Sequence, residues 1–287
     1  MRNGLFRYSK IDKLSSIENR GYGMNNALIG FSGFVGSTLL KQVPFESLYR
    51  SNNIDEIEGK SFNMVVCAGA PAQKWLANRE PEADLEKIEG LIAHLKSMTC
   101  KTFVLISTVD VFKNPQEVDE DTPIEEAGLH AYGLHRRLLE KFVESHFPRH
   151  LIVRLPGLVG PGLRKNVIFD FLNGNNVNTI DSRGVFQFYP MVNLWYDIQI
   201  ALDAGLKLVH LTAAPISVAD VSAQGFGKPF DQVQANSPGF YDMRTRNAEI
   251  FGTSGHYQYS HRETIQAVRT YAQSEPQTLK VPQGTGA

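Results

Sequence analysis

Short apolar runs alternate with longer amphipathic stretches over the first half of the chain. Asn26–Ile29, Ser47–Tyr49, Met64–Ala68, Thr102–Ser107 and Leu151–Leu155 read as strands. Phe34–Gln42, Pro81–Ser97, Ala131–His146 and Lys165–Leu172 read as helices. Met64–Ala68 and Phe103–Ile106 are apolar without alternation, as expected of strands buried on both faces of a parallel sheet. Strand and helix alternating with short links predict an α/β, Rossmann-type doubly wound domain. After about residue 155 the pattern breaks up. Glycine, proline and aromatic residues mix there with helical stretches such as Leu194–Gly205, which predicts a smaller lobe partly interleaved with the first. Residues 1–23 are polar and of mixed charge, and read as an extension outside the core fold. The expected organisation is therefore 1–23, 24–160 and 161–287.

Composition narrows the partners. A chain of 287 residues can bury a large core. Its formal net charge of −1 offers no global attraction to nucleic acid or an anionic membrane. No apolar run approaches the roughly 20 residues that span a bilayer. Arg2, Arg7, Lys10, Asp12 and Lys13 break up the apolar stretches of the N-terminus, which leaves no signal-peptide core and makes the cytoplasm the expected compartment. Cys67 and Cys100 make neither a disulfide framework nor a zinc site, and no metal-ligand spacing such as HExxH occurs.

The first strand runs straight into Gly30-Phe31-Ser32-Gly33-Phe34-Val35-Gly36, and a helix follows. A glycine-rich turn between strand and helix is the context in which a dinucleotide pyrophosphate binds. Gly30 permits the tight turn, Gly33 lets backbone approach the phosphates, and Gly36 allows close packing of helix and strand. The helix N-terminus supplies unpaired N–H groups and a partial positive charge.

A second constellation joins Ser107-Thr108, at the end of a strand, to Tyr132, at the start of a helix. A threonine hydroxyl and a tyrosine phenol can share one substrate oxygen, with the phenol giving or taking a proton. That work requires the phenol's pKa, about 10 unperturbed, to be lowered by a nearby cation. Arg136 stands one helical turn on, on the same face. His130 and His135 flank Tyr132 and read as surface or supporting residues.

Together these motifs resemble the extended short-chain dehydrogenases/reductases, in particular the NAD-dependent epimerase/dehydratase family that acts largely on nucleotide sugars. The likeness runs over roughly residues 25 to 275. It rests on Gly30, Gly33 and Gly36, Cys67-Ala68-Gly69-Ala70, Ser107-Thr108 before Val111-Phe112, Tyr132-Gly133 with Glu140, Arg154-Leu155-Pro156-Gly157, and Gly160-Pro161-Gly162. The resemblance implies Thr108 and Tyr132 as catalytic residues. Arg136 stands where the family usually has a lysine that binds the nicotinamide ribose and lowers the tyrosine pKa. It further implies cofactor contacts from Gly30, Ser32, Gly33, Phe34, Val35, Gly36, Ala68, Gly69, Ala70, Tyr132, Arg136, Leu155, Pro156 and Gly157. The lobe 161–287 becomes mainly substrate-binding.

The expected cofactor is NAD or NADP. The tip of the second strand, Leu48-Tyr49-Arg50-Ser51-Asn52-Asn53, carries no acid to accept from a ribose 2′-OH, so Arg50 and Ser51 favour NADP. Lys74, Trp75 and Asn78 cluster after Met64–Ala68, taken as the fourth core strand or its equivalent, with Trp75 either packing or offering a platform to substrate. Asn166 falls where the family often meets a sugar nucleotide. Arg164 and Lys165 read as a diphosphate contact or a solvated pair, and Arg244 as an anion grip. Phe186-Gln187-Phe188-Tyr189-Pro190 departs from the charged segment common in nucleotide-sugar epimerases. The expected activity is an NAD(P)-dependent epimerase or reductase on a carbohydrate-like small molecule, working as a homodimer. The alternative is a non-catalytic dinucleotide-binding redox sensor or scaffold.

Overall fold

The computed structural model describes residues 25–278, so the segment 1–23 lies outside the described residues. Along the chain run β1 (Asn26–Ile29), α1 (Phe34–Gln42), β2 (Ser47–Tyr49), β3 (Ser61–Cys67), α2 (Lys74–Arg79), α3 (Pro81–Lys96) and β4 (Thr99–Thr108). β5 (Gln116–Val118), α4 (Ala131–His146), β6 (His150–Leu155), β7 (Gly157–Val159), α5 (Val167–Asn173), β8 (Val185–Phe186) and β9 (Phe188–Pro190) follow. The last elements are α6 (Leu194–Asp203), β10 (Leu208–His210), β11 (Ile216–Ser217), α7 (Val218–Asp220), β12 (Asp242–Met243) and α8 (His261–Ser274).

Six strands form one sheet in the order β10-β6-β4-β3-β1-β2, with every pairing parallel. Successive residues of each strand serve opposite faces, which explains the unbroken apolar runs. Ala27, Ile29, Val65, Cys67, Phe103 and Leu105 pack under α3 and α4 with Ile88, Leu95, Leu139 and Val143. Leu28, Val66, Val104 and Ile106 pack on the other face against Leu39 of α1 and Leu194, Ile198 and Ala201 of α6. A third core joins α5, β9 and α8 through Ile168, Phe169, Phe188, Ile265 and Val268.

The chain crosses the sheet in opposite directions from β1, to β2 on one side and to β3 on the other. The crevice at the carboxyl ends of β1 and β3 is therefore the topological switch point, where ligands of open α/β sheets bind. Relative to the 3-2-1-4-5-6 order of dinucleotide folds, the described residues place no strand beyond β2 and add β10 at the opposite edge. A 3-10 turn, Ile54–Ile57, connects β2 directly to β3. Met64–Ala68 is thus the third strand in chain order rather than the fourth.

Several elements differ from the sequence reading. β3 begins at Ser61, and α5 begins at Val167 because Asn166 caps it from a left-handed backbone of φ +92°. Lys74 and Trp75 sit on a short helix, α2, rather than in a loop. β10 and α8 were not expected; β10 lies in the irregular C-terminal half yet completes the main sheet.

Candidate active site

The turn after β1 is shaped by contacts no side chain would tolerate. Gly30 has φ +84°, and a Cβ there would stand 2.3 Å from the Ala68 carbonyl oxygen at the end of β3. A Cβ on Gly36 would stand 2.1 Å from the Gly30 oxygen, so α1 lies directly on the turn. Gly33 differs, since its nearest neighbour would be the Gly30 oxygen at 3.4 Å. No side chain caps α1 and its first turn holds no acid, so the N–H groups of Phe34 and Val35 have no side-chain competitor, while that of Gly33 donates to the Gly30 oxygen at 3.1 Å. Ser32 is exposed there. Gly69 is held closely too, because a Cβ would meet Ile29 Cγ2 at 2.9 Å. On the far side Leu155 and Pro156 are buried, while Gly157 presses against the Gln187 oxygen, 2.6 Å from where its Cβ would be.

At the tip of β2 the exposed Arg50 donates from Nε to Asn52 Oδ1 at 2.8 Å. Its guanidinium lies 5.6 Å from the Phe31 ring centre, over the glycine turn. Ser51 is exposed beside it. The nearest downstream acid, Asp55, lies in the 3-10 turn rather than at the strand tip.

Thr108 ends β4, and its Oγ1 accepts from the Asp110 N–H at 3.1 Å. Opposite it, α4 starts with two side-chain acceptors for its free N–H groups. His130 Nδ1 accepts from Gly133 at 3.0 Å, and Asn78 Oδ1 from Tyr132 at 3.0 Å. Gly133 permits this approach, because a Cβ would sit 2.1 Å from the Asp110 oxygen. The result sets the strand end that carries Thr108 against the helix start that carries Tyr132, near enough for the Thr108 hydroxyl to favour the phenolate. Burial raises the Tyr132 pKa above its ordinary value; Arg136, Thr108 and Lys74 oppose that rise, Asp110 adds to it, and the net effect is upward. The expected lowering is outweighed by desolvation.

Arg136 is buried rather than open to the crevice. It holds both Asp84 oxygens, from Nη1 to Oδ2 and from Nη2 to Oδ1 at 2.9 Å. It also donates to the Pro71 and Tyr132 carbonyl oxygens. Its guanidinium carbon lies 4.0 Å from the centre of the Tyr132 ring. Four of the five guanidinium N–H groups are thereby committed, leaving Nε buried without a partner. His135, read as a surface or supporting residue, is buried and bonds Asp84 Oδ2 at 2.7 Å.

The substrate-side residues separate into two groups. Lys74 faces the crevice, bonding Asp110 Oδ1 at 2.7 Å and the Tyr241 hydroxyl at 3.2 Å, while Tyr241 donates to Asp110 at 3.2 Å. Burial disfavours the Lys74 ammonium, yet Asp110 and Tyr241 outweigh it and raise its pKa above the ordinary lysine value. Lys165 reaches across to the Ala72 oxygen, and Arg164 is exposed beside it. Trp75 is 62 % exposed and stacks under Arg79 at 4.8 Å. The second group is spent elsewhere. Asn166 Oδ1 accepts from Ile168 and Phe169 while its amide donates to Leu158, so its side chain caps α5. Arg244 pairs with Asp242 and Glu117, which neutralise it. Gln187, in the aromatic run, is buried and ties Thr212, Ala213 and Met243 together.

Asp84 escaped the sequence reading although a signal was present. It falls in phase with Ile88, Ile92 and Leu95 on the buried stripe of α3. An acid on an apolar stripe demands a buried cation. Tyr241 carried no comparable signal, since β12 brings it to Lys74 from far along the chain. A separate cavity of about 530 Å³, lined by Phe171, Phe226, Lys228 and Arg269, contains none of these residues. Among the described residues no cluster of three or more potential metal ligands occurs, and no helix is long and apolar enough to cross a membrane.

No protein-family model matches the chain, and no curated protein matches it. Solved structures do. RMD from Pseudomonas aeruginosa, complexed with NADPH, is 17% identical over 88% of this chain and 99% of its own, with a TM-score of 0.63. The UDP-glucose 4-epimerase of Thermotoga maritima, with UDP-glucose, is 13% identical over 87% and 99%, at a TM-score of 0.63. The enzyme WbmG of Bordetella bronchiseptica, in complex with NAD, is 15% identical over 89% and 96%, at a TM-score of 0.67. The likeness is one of fold: this chain shares the Rossmann-type α/β fold of these three structures.

Proposed function

We propose that the chain is an NAD(P)-dependent oxidoreductase of the epimerase/dehydratase type, acting on a carbohydrate-like hydroxyl or carbonyl. The observation that carries this reading is the approach of the β4 end bearing Thr108 to the α4 start bearing Tyr132, beside an uncapped, glycine-shaped helix N-terminus at the switch point. A binding-only protein has no need of that pair. The cofactor also fits the residues present. Gly33 leaves room for phosphate, and no side chain caps the N–H groups at the start of α1. A bound nicotinamide would supply hydride chemistry.

The chain's own residues handle the oxygen and the proton. Thr108 donates to the reacting oxygen and holds it against Tyr132, which gives or takes the proton. Arg50 and Ser51, with no acid at the β2 tip, favour a 2′-phosphate and hence NADP. Lys74, Asp110 and Tyr241 present a donor and acceptors to sugar hydroxyls, with Trp75 at the mouth. Arg164 and Lys165 take the diphosphate role, since Arg244 is already neutralised. Leu134 and Leu138, partly exposed on α4, support a homodimer through α3 and α4. Lobes of 24–160 for the dinucleotide and mainly 161–287 for substrate belong to the same reading.

The test is Tyr132→Phe, assayed for dinucleotide binding and for turnover of nucleotide 4-ketosugars. The expected result is unchanged binding and a loss of about 100-fold or more in kcat. Unchanged turnover contradicts the assignment.

A further inference from the structure

Two ion pairs bracket Tyr132, and each is closed on itself. On one side Asp84 receives Arg136 in a two-pronged bond, with side chains 5 % and 3 % exposed, and takes a further bond from His135. On the other, Asp110 receives Lys74. The geometry of the first pair differs from what a tyrosine-activating cation requires. Arg136 lies over the face of the ring, 4.0 Å from its centre, and its N–H groups go to Asp84, Pro71 and the Tyr132 backbone. None of these bonds reaches the phenol oxygen. A cation stabilises a phenolate when its charge is uncompensated and close; here a carboxylate touching that cation offsets part of its charge.

We infer that Asp84 is a positioning residue that acts through Arg136: by holding the guanidinium flat beneath the Tyr132 ring and offsetting part of its charge, it helps keep the Tyr132 hydroxyl a proton donor. The inference rests on the reading of Tyr132 as the acid/base and deepens it. A phenol that stays protonated can give its proton to a carbonyl oxygen, its own O–H bond breaking as the carbonyl carbon takes the hydride that a bound reduced nicotinamide would supply; solvent then returns a proton to the phenolate. Taking a proton from a hydroxyl requires alkaline solution. The site is thus set for the reductive sense of the chemistry.

The other groups facing Tyr132 have been counted in. His130 caps the same helix, its ring centre 6.4 Å from that of Tyr132. Lys74 on α2 and Asp110 after β4 oppose one another, and Tyr241 bridges them as a neutral phenol. Lys165 lies within electrostatic range of Asp110 and Arg136 and is kept by burial below the ordinary lysine pKa. The Tyr132 pKa is raised chiefly by burial, with Arg136 and Lys74 drawing it down and Asp110 pushing it up.

The test is a tyrosinate absorbance titration by rapid pH jump, with Tyr132→Phe subtracted from wild type to isolate the one phenol. Wild type is expected to ionise above pH 10, and Asp84→Asn to bring that midpoint down by about one unit or more. Asp84→Glu, which retains the charge, is expected to stay with wild type. Ionisation of Tyr132 below pH 10 in wild type, or no downward movement in Asp84→Asn, overturns the inference. Should Asp84→Asn fail to fold, the wild-type midpoint and Asp84→Glu decide it. A fully active Tyr132→Phe would instead reject the acid/base reading, and the titration would stand apart from it.

Discussion

Between Gly30 and Gly36 the contacts that shape the site are backbone on backbone, whereas around Tyr132 they are side chain on side chain, drawn from α2, α3, α4 and the segment before β12. The first region allows no Cβ at two of its three glycines. The second stands on charges held in pairs, the buried Arg136 with Asp84 and the partly exposed Lys74 with Asp110. A backbone-built site is stiff and local, and its requirements are written in adjacent residues. A charge-built site is assembled over long sequence separations, and removing one member leaves the other buried and unpaired.

The contrast is broken most severely at Gly36. Alanine there forces a Cβ to 2.1 Å from the Gly30 oxygen, so Gly36→Ala is expected to lose about 4 kcal/mol or more in a denaturant titration. Gly33→Ala has room and is expected to stay within about 1 kcal/mol of wild type while weakening dinucleotide binding. Equal losses at the two glycines would contradict the geometry.

In the charged region, Arg136→Ala leaves Asp84 buried without its cation and is expected to cost about 3–5 kcal/mol in the same titration. A loss confined to cofactor affinity would mean that Arg136 belongs to the crevice rather than to Asp84.

A pH effect follows from the next layer of buried side chains. His210 donates from Nδ1 to the Arg244 oxygen at 2.8 Å, and its Nε2 faces Arg154 Nη1 at 3.3 Å, an arrangement that suits the neutral ring. Burial and Arg154 push its pKa down to about 4, against the opposing influence of Glu120 and Glu140. The unfolded chain therefore binds this proton first. The stability it confers is present above the unfolded pKa of 6.5 and is lost as pH falls towards 4, up to about 3 kcal/mol. His210→Gln is expected to flatten that part of the stability–pH curve; an unchanged slope contradicts the assignment.

The smallest effect concerns the cofactor tip. Arg50→Asp is expected to shift the NADPH/NADH preference towards NADH by about tenfold, the equivalent of about 1.4 kcal/mol. An unchanged ratio removes Arg50 from the 2′-phosphate site.

What the sequence made legible follows the same division. Strands β1 and β2 and helices α1 and α4 could be read to the residue, because apolar periodicity and the glycine turn are local signals. Thr108 ends β4, Tyr132 lies in the first turn of α4 and the glycines fall between β1 and α1, the places that local pattern gives them. β10 was missed because three residues among glycines and aromatics carry too little pattern, and their pairing with β6 is tertiary. Arg136 was visible but its partner was not, since Asp84 is joined to it across two helices. Asn166 and Arg244 were read as ligand groups because an exposed polar motif looks the same whether its partner is substrate or the protein's own backbone.

The most direct measurement is to denature the purified protein, identify any released nucleotide by mass spectrometry, and titrate the emptied protein with NADPH and NADH. The account predicts a nicotinamide dinucleotide in one arm or the other. Retained NAD+ would favour an epimerase cycle and count against the NADP preference, whereas an empty protein that binds NADPH reversibly would favour a reductase. Binding of neither dinucleotide would contradict the central claim.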